Sequence, residues 1–120
     1  MRRGKSCYIQ NIQLYDIDDF KNKNGFIKEY DNNNNLIFEG EYLNGERNGK
    51  GKEYYNNELI FKGEYLNGKR DGKGKEFNNN GELIFEGEYL NGKRDGEGKE
   101  YNDNGELIFE GKYYNGERLY

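Results

Sequence analysis

The chain repeats itself, and the repeat limits its fold more than any other feature. Three units follow one another at residues 36–58, 59–82 and 83–106, and a half unit occupies residues 107–120. The period is 24 residues, with one deletion in the first unit. Because so short a unit cannot bury its hydrophobic residues alone, it must stack on its neighbours. The sequence therefore predicts an extended array rather than a compact globule.

Each unit contains two extended runs separated by turn signals. In the third unit the runs are LIFEGEYL, residues 83–90, and GEGKEY, residues 96–101. Asn-Gly follows the first run and supplies the positive φ angles that tight hairpin turns require. Glycine within the runs disfavours helix. We therefore predict an all-β fold, an elongated and twisted single-layer antiparallel meander of tandem β-hairpins with a period of about 24 residues.

Alternation along these strands predicts an aromatic ladder on one face. Phe85 and Tyr89 share a face, and the glycines at 96 and 98 of the next run leave room for their rings. We expect the rings to lie over Gly96 and Gly98. The ladder, which is also the candidate partner-binding surface, comprises Phe38, Tyr42, Phe61, Tyr65, Phe85, Tyr89, Phe109 and Tyr113. The alternative is that these rings are simply the thin core of the sheet.

Two apolar residues do not fit a strand with one apolar face. Ile84 and Leu90 fall on the side opposite the ladder, among charged residues. Either they pack with Tyr101, or a β-bulge turns part of the strand towards the other face.

The spacing of aromatics and glycines resembles the MORN repeat (membrane occupation and recognition nexus). The pattern is Phe61, Gly63, Tyr65, Asn67, Gly68, Gly72 and Gly74. Phe and Tyr stand where that family commonly has Tyr and Trp. The resemblance implies a MORN-type repeat domain at residues 25–120, preceded by a degenerate cap at residues 1–24. It also implies roles in protein assembly, membrane-associated scaffolding or dimerisation. The stretch KEYNDNGEL is also similar to repeats of some bacterial antitoxin-type proteins, which leaves an antitoxin-like protein as an alternative.

Composition argues against several kinds of function. The net charge is -4, whereas a protein that follows nucleic-acid phosphates is expected to be basic. There is no histidine, the commonest general base and a frequent metal ligand. The paired carboxylates of Glu86 and Glu88 recur in most units, as a surface pattern does and a catalytic site does not. We therefore expect no enzyme activity, no cofactor and no metal site.

Two binding functions remain, and they use different surfaces. The first is a protein-interaction or scaffolding module that contacts a protein partner or a second copy through the aromatic face or the open strand edge at residues 107–114. The second is a peripheral module that binds anionic lipid or phosphoinositide through a basic rim. The rim comprises Arg47, Lys69, Arg70, Lys93 and Arg94. A cytoplasmic location is expected, with association with membranes or the cytoskeleton as a further alternative.

Overall fold

Over residues 23–119, nine antiparallel strands follow the order of the chain in one open sheet. The computed structural model describes residues 23–119; the predicted cap lies outside these residues apart from Lys23 and Asn24. The strands are β1 (Gly25–Tyr30), β2 (Leu36–Leu43), β3 (Glu46–Tyr55), β4 (Glu58–Leu66), β5 (Lys69–Phe77), β6 (Leu83–Leu90), β7 (Lys93–Tyr101), β8 (Leu107–Tyr114) and β9 (Glu117–Arg118). The principal dimensions are 50 × 26 × 19 Å. The predicted single-layer meander is confirmed.

Two-residue Asn-Gly turns close every second hairpin. Asn67 and Gly68 have φ angles of 52° and 86°, and the pairs at 44–45, 91–92 and 115–116 have similar values. Such paired positive angles match the twist of the strands on either side. The next strand begins at Lys69, so Lys69 and Arg70 belong to β5 rather than to a longer turn. This difference of a few residues decides where the arginine side chains point.

A column of glycines crosses the sheet in direct register. Its members are Gly40, Gly51, Gly63, Gly74, Gly87, Gly98 and Gly111. A methyl group at Gly98 would lie 2.7 Å from a ring carbon of Phe85 and 2.9 Å from one of Tyr113. The predicted contact of Phe85 with Gly98 is confirmed, and it explains why these strand positions exclude side chains.

The prediction that a ring also covers Gly96 is wrong. Gly96 has a φ of 105°, and a methyl group there would meet the carboxylate of Glu88 at 2.1 Å. The register between β6 and β7 shifts at this point, which marks a bulge. Glu88 Oε1 accepts a hydrogen bond from the amide of Glu97 at 2.9 Å, which satisfies a donor that the bulge removes from the ladder. Gly49 and Gly72 repeat this arrangement with Glu41 and Glu64.

A second bulge accounts for Ile84. Phe85 pairs with Glu76 and Leu83 pairs with Phe77, so Ile84 is the extra residue and half-buried. The bulge explanation is therefore confirmed. Leu90 stays 51% exposed at the end of β6.

Candidate functional site

The aromatic ladder is the core of the sheet. Phe38, Phe61 and Phe85 are completely buried, and the ladder tyrosines are 3–8% exposed. Each buried phenylalanine meets the tyrosine of the next unit edge to face, with ring centroids 5.2 Å apart for Phe61 and Tyr89. These rings therefore form the thin core of the sheet, with Phe109 half-buried at its end, and a partner contact through the ladder stays a prediction from the sequence. Because the glycines carry no side chain, the rings pack directly against the backbone of the sheet and are buried there.

A repeated Tyr-Glu-Arg contact covers the edge of this core. Glu53 accepts a hydrogen bond from the Tyr65 hydroxyl at 2.5 Å and two from Arg70, at 2.9 and 3.0 Å. The guanidinium carbon of Arg70 lies 3.9 Å from the centre of the Phe61 ring. Equivalent contacts occur at Glu29, Glu76 and Glu100. The arginine thus combines a bidentate ion pair with a cation–π contact, each of which restrains it.

The pKa values in this network follow from these contacts. Burial alone would raise the pKa of Glu53, but hydrogen bonds from Arg70 and Tyr65 outweigh it and hold the pKa below its ordinary value. The hydrogen bond from Arg118 lowers the pKa of Glu100 to about 2. Burial, followed by the hydrogen bond to Glu100, raises the pKa of Tyr113 to about 12. At neutral pH the network is therefore a fixed set of charged and neutral partners rather than a proton-transfer site.

Three of the five residues of the predicted basic rim form ion pairs within this network. Arg47, Arg70 and Arg94 pair with glutamates, and each side chain is only 24% exposed. The physical reason is the short Asn-Gly turn, which puts Arg70 directly opposite Tyr65 on the aromatic face. Lys69 and Lys93 remain exposed. Two separate lysines make a weaker anionic-lipid surface than the five-residue rim that the sequence suggests.

The opposite face carries a long groove of about 720 Å³ that the sequence did not indicate. Its floor is the backbone of the glycine column from Gly40 to Gly98, which carries no side chain. Its walls are lysines and glutamates that alternate across most strand pairs, as in Lys75 opposite Glu86. Phe26, which is 65% exposed, lines the groove at its β1 side. The groove depends on the register that aligns glycines of neighbouring strands, and the sequence of a single strand does not show that register.

These features define a repeat protein in which each hairpin adds one ring pair to a core on one face and one section of groove to the other. A model of the MORN repeat matches residues 38–59, 61–82 and 85–106, more than half of the chain. The chain therefore belongs to the MORN repeat family, as its resemblance implied. MORN repeats are in general protein- or membrane-interaction modules and are not an enzymatic repeat type. No curated protein matches the chain.

Proposed function

We propose that the chain is a non-catalytic protein-interaction module whose contact surface is the glycine-floored groove. The observation that supports this is the continuity of the groove across β2–β8, with backbone at its base and flexible charged side chains along its walls. With about 4.8 Å between strands, the groove from β2 to β8 is roughly 29 Å long, which suits an extended segment of about nine residues. The exposed ring of Phe26 offers an apolar contact near one end.

The arrangement of polar side chains supports binding rather than catalysis. The tyrosines, glutamates and arginines with altered pKa values are held in structural contacts that repeat from unit to unit. Among residues 23–119, no group of three or more His, Cys, Asp or Glu side chains is placed to hold a metal ion. In the same part of the chain no helix has the length and apolar character needed to cross a bilayer.

A peptide selection tests this proposal. Random peptides of about nine residues would be selected on the protein, and their dissociation constants measured by fluorescence anisotropy. Lys99→Trp places a bulky ring in the groove, and Lys93→Trp makes the same change at an exposed position of the same strand. We expect Lys99→Trp to weaken binding about 10-fold or more, or about 1.4 kcal/mol, and Lys93→Trp to leave it unchanged. Failure to enrich any peptide, or equal effects of the two substitutions, would refute the proposal.

A second way of contacting a partner has support at the edge of β8. Because β9 and Leu119 pair with residues 112–114, the predicted open edge is narrowed to residues 107–111. Leu107 and Ile108 are 50% and 53% exposed there, and exposed apolar strands can pair with another chain. Light scattering over a range of concentrations would detect such self-association, which charged substitutions at Ile108 should reduce. Binding to anionic membranes, an antitoxin-like role and a cytoplasmic location remain predictions from the sequence.

A further inference from the structure

Three lysines stand directly opposite one another in the middle of the groove. Lys52 pairs in register with Lys62, and Lys62 pairs with Lys75. Lys62 occupies the position at which the other units have Glu39, Glu86 and Glu110. With glutamate there, charges would alternate along the whole row; with lysine, three like charges are adjacent. Like charges directly opposite on neighbouring strands are destabilising.

Two further lysines enlarge this positive region. Lys50 and Lys73 lie on the same face in the neighbouring row, with Glu64 opposite Lys50. One oxygen of Glu64 already accepts a hydrogen bond from the amide of Lys73 at 3.0 Å. All five lysines are exposed, and none is within ion-pair distance of a carboxylate in the part of the chain that the structure describes. Lys52, Lys73 and Lys75 also face glutamates across the adjoining strands, namely Glu39, Glu88 and Glu86. The middle of the groove still carries an excess of positive charge, and no close ion pair neutralises these lysines in residues 23–119.

The rest of the same face has the opposite balance. Over β6–β8 the groove is lined by four glutamates and one lysine, Glu86, Glu88, Glu97, Glu110 and Lys99. Lys99 stands opposite Glu86 and Glu110, so charges alternate there. The positive region is therefore local to β3–β5 and is not a property of every repeat.

We propose that the section of groove over β3–β5 binds an acidic stretch of an extended protein segment. This inference rests on the proposed function and names the chemistry of the partner. Carboxylates on alternate residues of an extended segment share a face, so several can meet the lysines at once while the backbone lies along the glycine floor. Relief of repulsion among Lys52, Lys62 and Lys75 adds to the attraction, because the bound carboxylates lie among them.

The geometry favours a protein segment over a membrane surface. A flat anionic bilayer that approached the lysines would also approach the four glutamates lining the groove over β6–β8 and be repelled by them. A narrow segment can instead occupy the positive section while its other residues extend past the acidic one.

A charge-matched experiment tests the inference. A fluorescein-labelled peptide of about nine residues with Asp at alternate positions and Ser between them would be compared with the Asn and Lys versions of the same peptide. Lys62→Glu restores the residue of the other units, and Lys69→Glu makes the same charge change at an exposed position beside a turn. We expect the Asp peptide to bind at least about 10-fold more tightly than the Asn peptide, and Lys62→Glu to remove most of this preference. Lys69→Glu should retain it within about two-fold, and added salt should weaken it.

The outcomes separate this inference from the proposed function. If selected peptides bind the native chain and bind Lys99→Trp more weakly, while the Asp and Asn peptides bind with equal affinity, the inference of an acidic partner is wrong. The proposed function of the groove then stands. If Lys62→Glu and Lys69→Glu weaken the Asp peptide equally, the attraction is that of overall charge and the inference is also wrong. Binding of phosphatidylserine vesicles that Lys62→Glu abolishes, without binding of the Asp peptide, would assign the lysines to a membrane. If no peptide of any composition binds, both proposals fail.

Discussion

Gly63 is one of three positions in the glycine column, with Gly40 and Gly87, where an added methyl group would meet the backbone of the next strand. A methyl group there would lie 2.5 Å from the carbonyl oxygen of Lys73, 2.6 Å from the Cα of Gly74 and 2.8 Å from a Phe61 ring carbon. Two of these neighbours are backbone atoms of β5, which cannot retreat without breaking the strand pairing. Gly63→Ala should therefore cost at least the upper end of the usual overpacking penalty, about 3 kcal/mol.

Part of this cost is offset in the unfolded chain. Alanine has less freedom than glycine to lose on folding, which stabilises by about 0.4–1 kcal/mol. The net loss for Gly63→Ala is then about 2–2.5 kcal/mol, or a fall in Tm of roughly 8–20 °C for a domain of this size. Gly111→Ala is the matched control, because it belongs to the same column but meets only the half-buried Phe109, with its nearest atom at 3.0 Å. Its Tm should change little.

Urea and thermal unfolding followed by circular dichroism would measure both variants. Phe61→Leu removes the ring atom nearest Gly63 but leaves the two backbone contacts in place. The loss of stability caused by Gly63→Ala should therefore be only slightly smaller in the Phe61→Leu background than in the native chain. If Gly63→Ala unfolds at the same temperature as the native chain, the close strand approach is wrong. If Gly111→Ala is equally destabilised, the loss reflects glycine in a strand and not the packed column.

Three further predictions concern the charged groups. Glu53→Gln leaves Arg70 against the core without its ion pair and should cost about 1–3 kcal/mol in urea unfolding, whereas Glu58→Gln at an exposed site should change stability by less than about 0.5 kcal/mol. The pKa of Glu100 is about 2 in the folded chain and 4.5 ordinarily, and that of Glu53 is also lowered. These carboxylates therefore stabilise the fold above about pH 4.5 and lose that effect as pH falls towards 2, so the urea midpoint should drop between pH 7 and 3, and drop less in Glu53→Gln. Lys62→Glu should raise stability by about 0.2–1 kcal/mol in the same assay, and an unchanged or lower midpoint would show that the lysine row is not strained.

How much of the fold could be predicted from the sequence depends on the strand register. The period and the Asn-Gly pairs identify the hairpins, and alternation places Phe85 and Tyr89 on one face because side chains in a strand alternate strictly. Alternation fails where residues are inserted. The bulge at Gly96 interrupts the alternation within β7, and the two-residue turn before Lys93 puts Arg94 opposite Tyr89 on the aromatic face. The Asn-Gly pair signals the turn but leaves open at which residue β7 begins.

The groove was missed for a related reason. Its floor consists of glycines that are far apart in sequence, and only the pairing of Gly63 with Gly51 and Gly74 brings them into line. The substitution of Lys62 for glutamate is visible when the repeats are aligned, but by itself it is one charge change among many. It forms a local positive region only because the register places Lys52 and Lys75 on either side of Lys62.

The two faces of the sheet separate stability from recognition. The buried rings, among them the ladder tyrosines, and the paired arginines lie on one face, where each unit repeats the last and a change in one residue disturbs the core. The groove face contributes backbone and exposed side chains, so a unit can exchange Glu for Lys there without altering the packing beneath. In a single-layer repeat, charge on the groove face can therefore vary from unit to unit while the fold stays constant. The departure at Lys62 is the kind of change that adapts one section of the groove to a partner, at a small cost in stability.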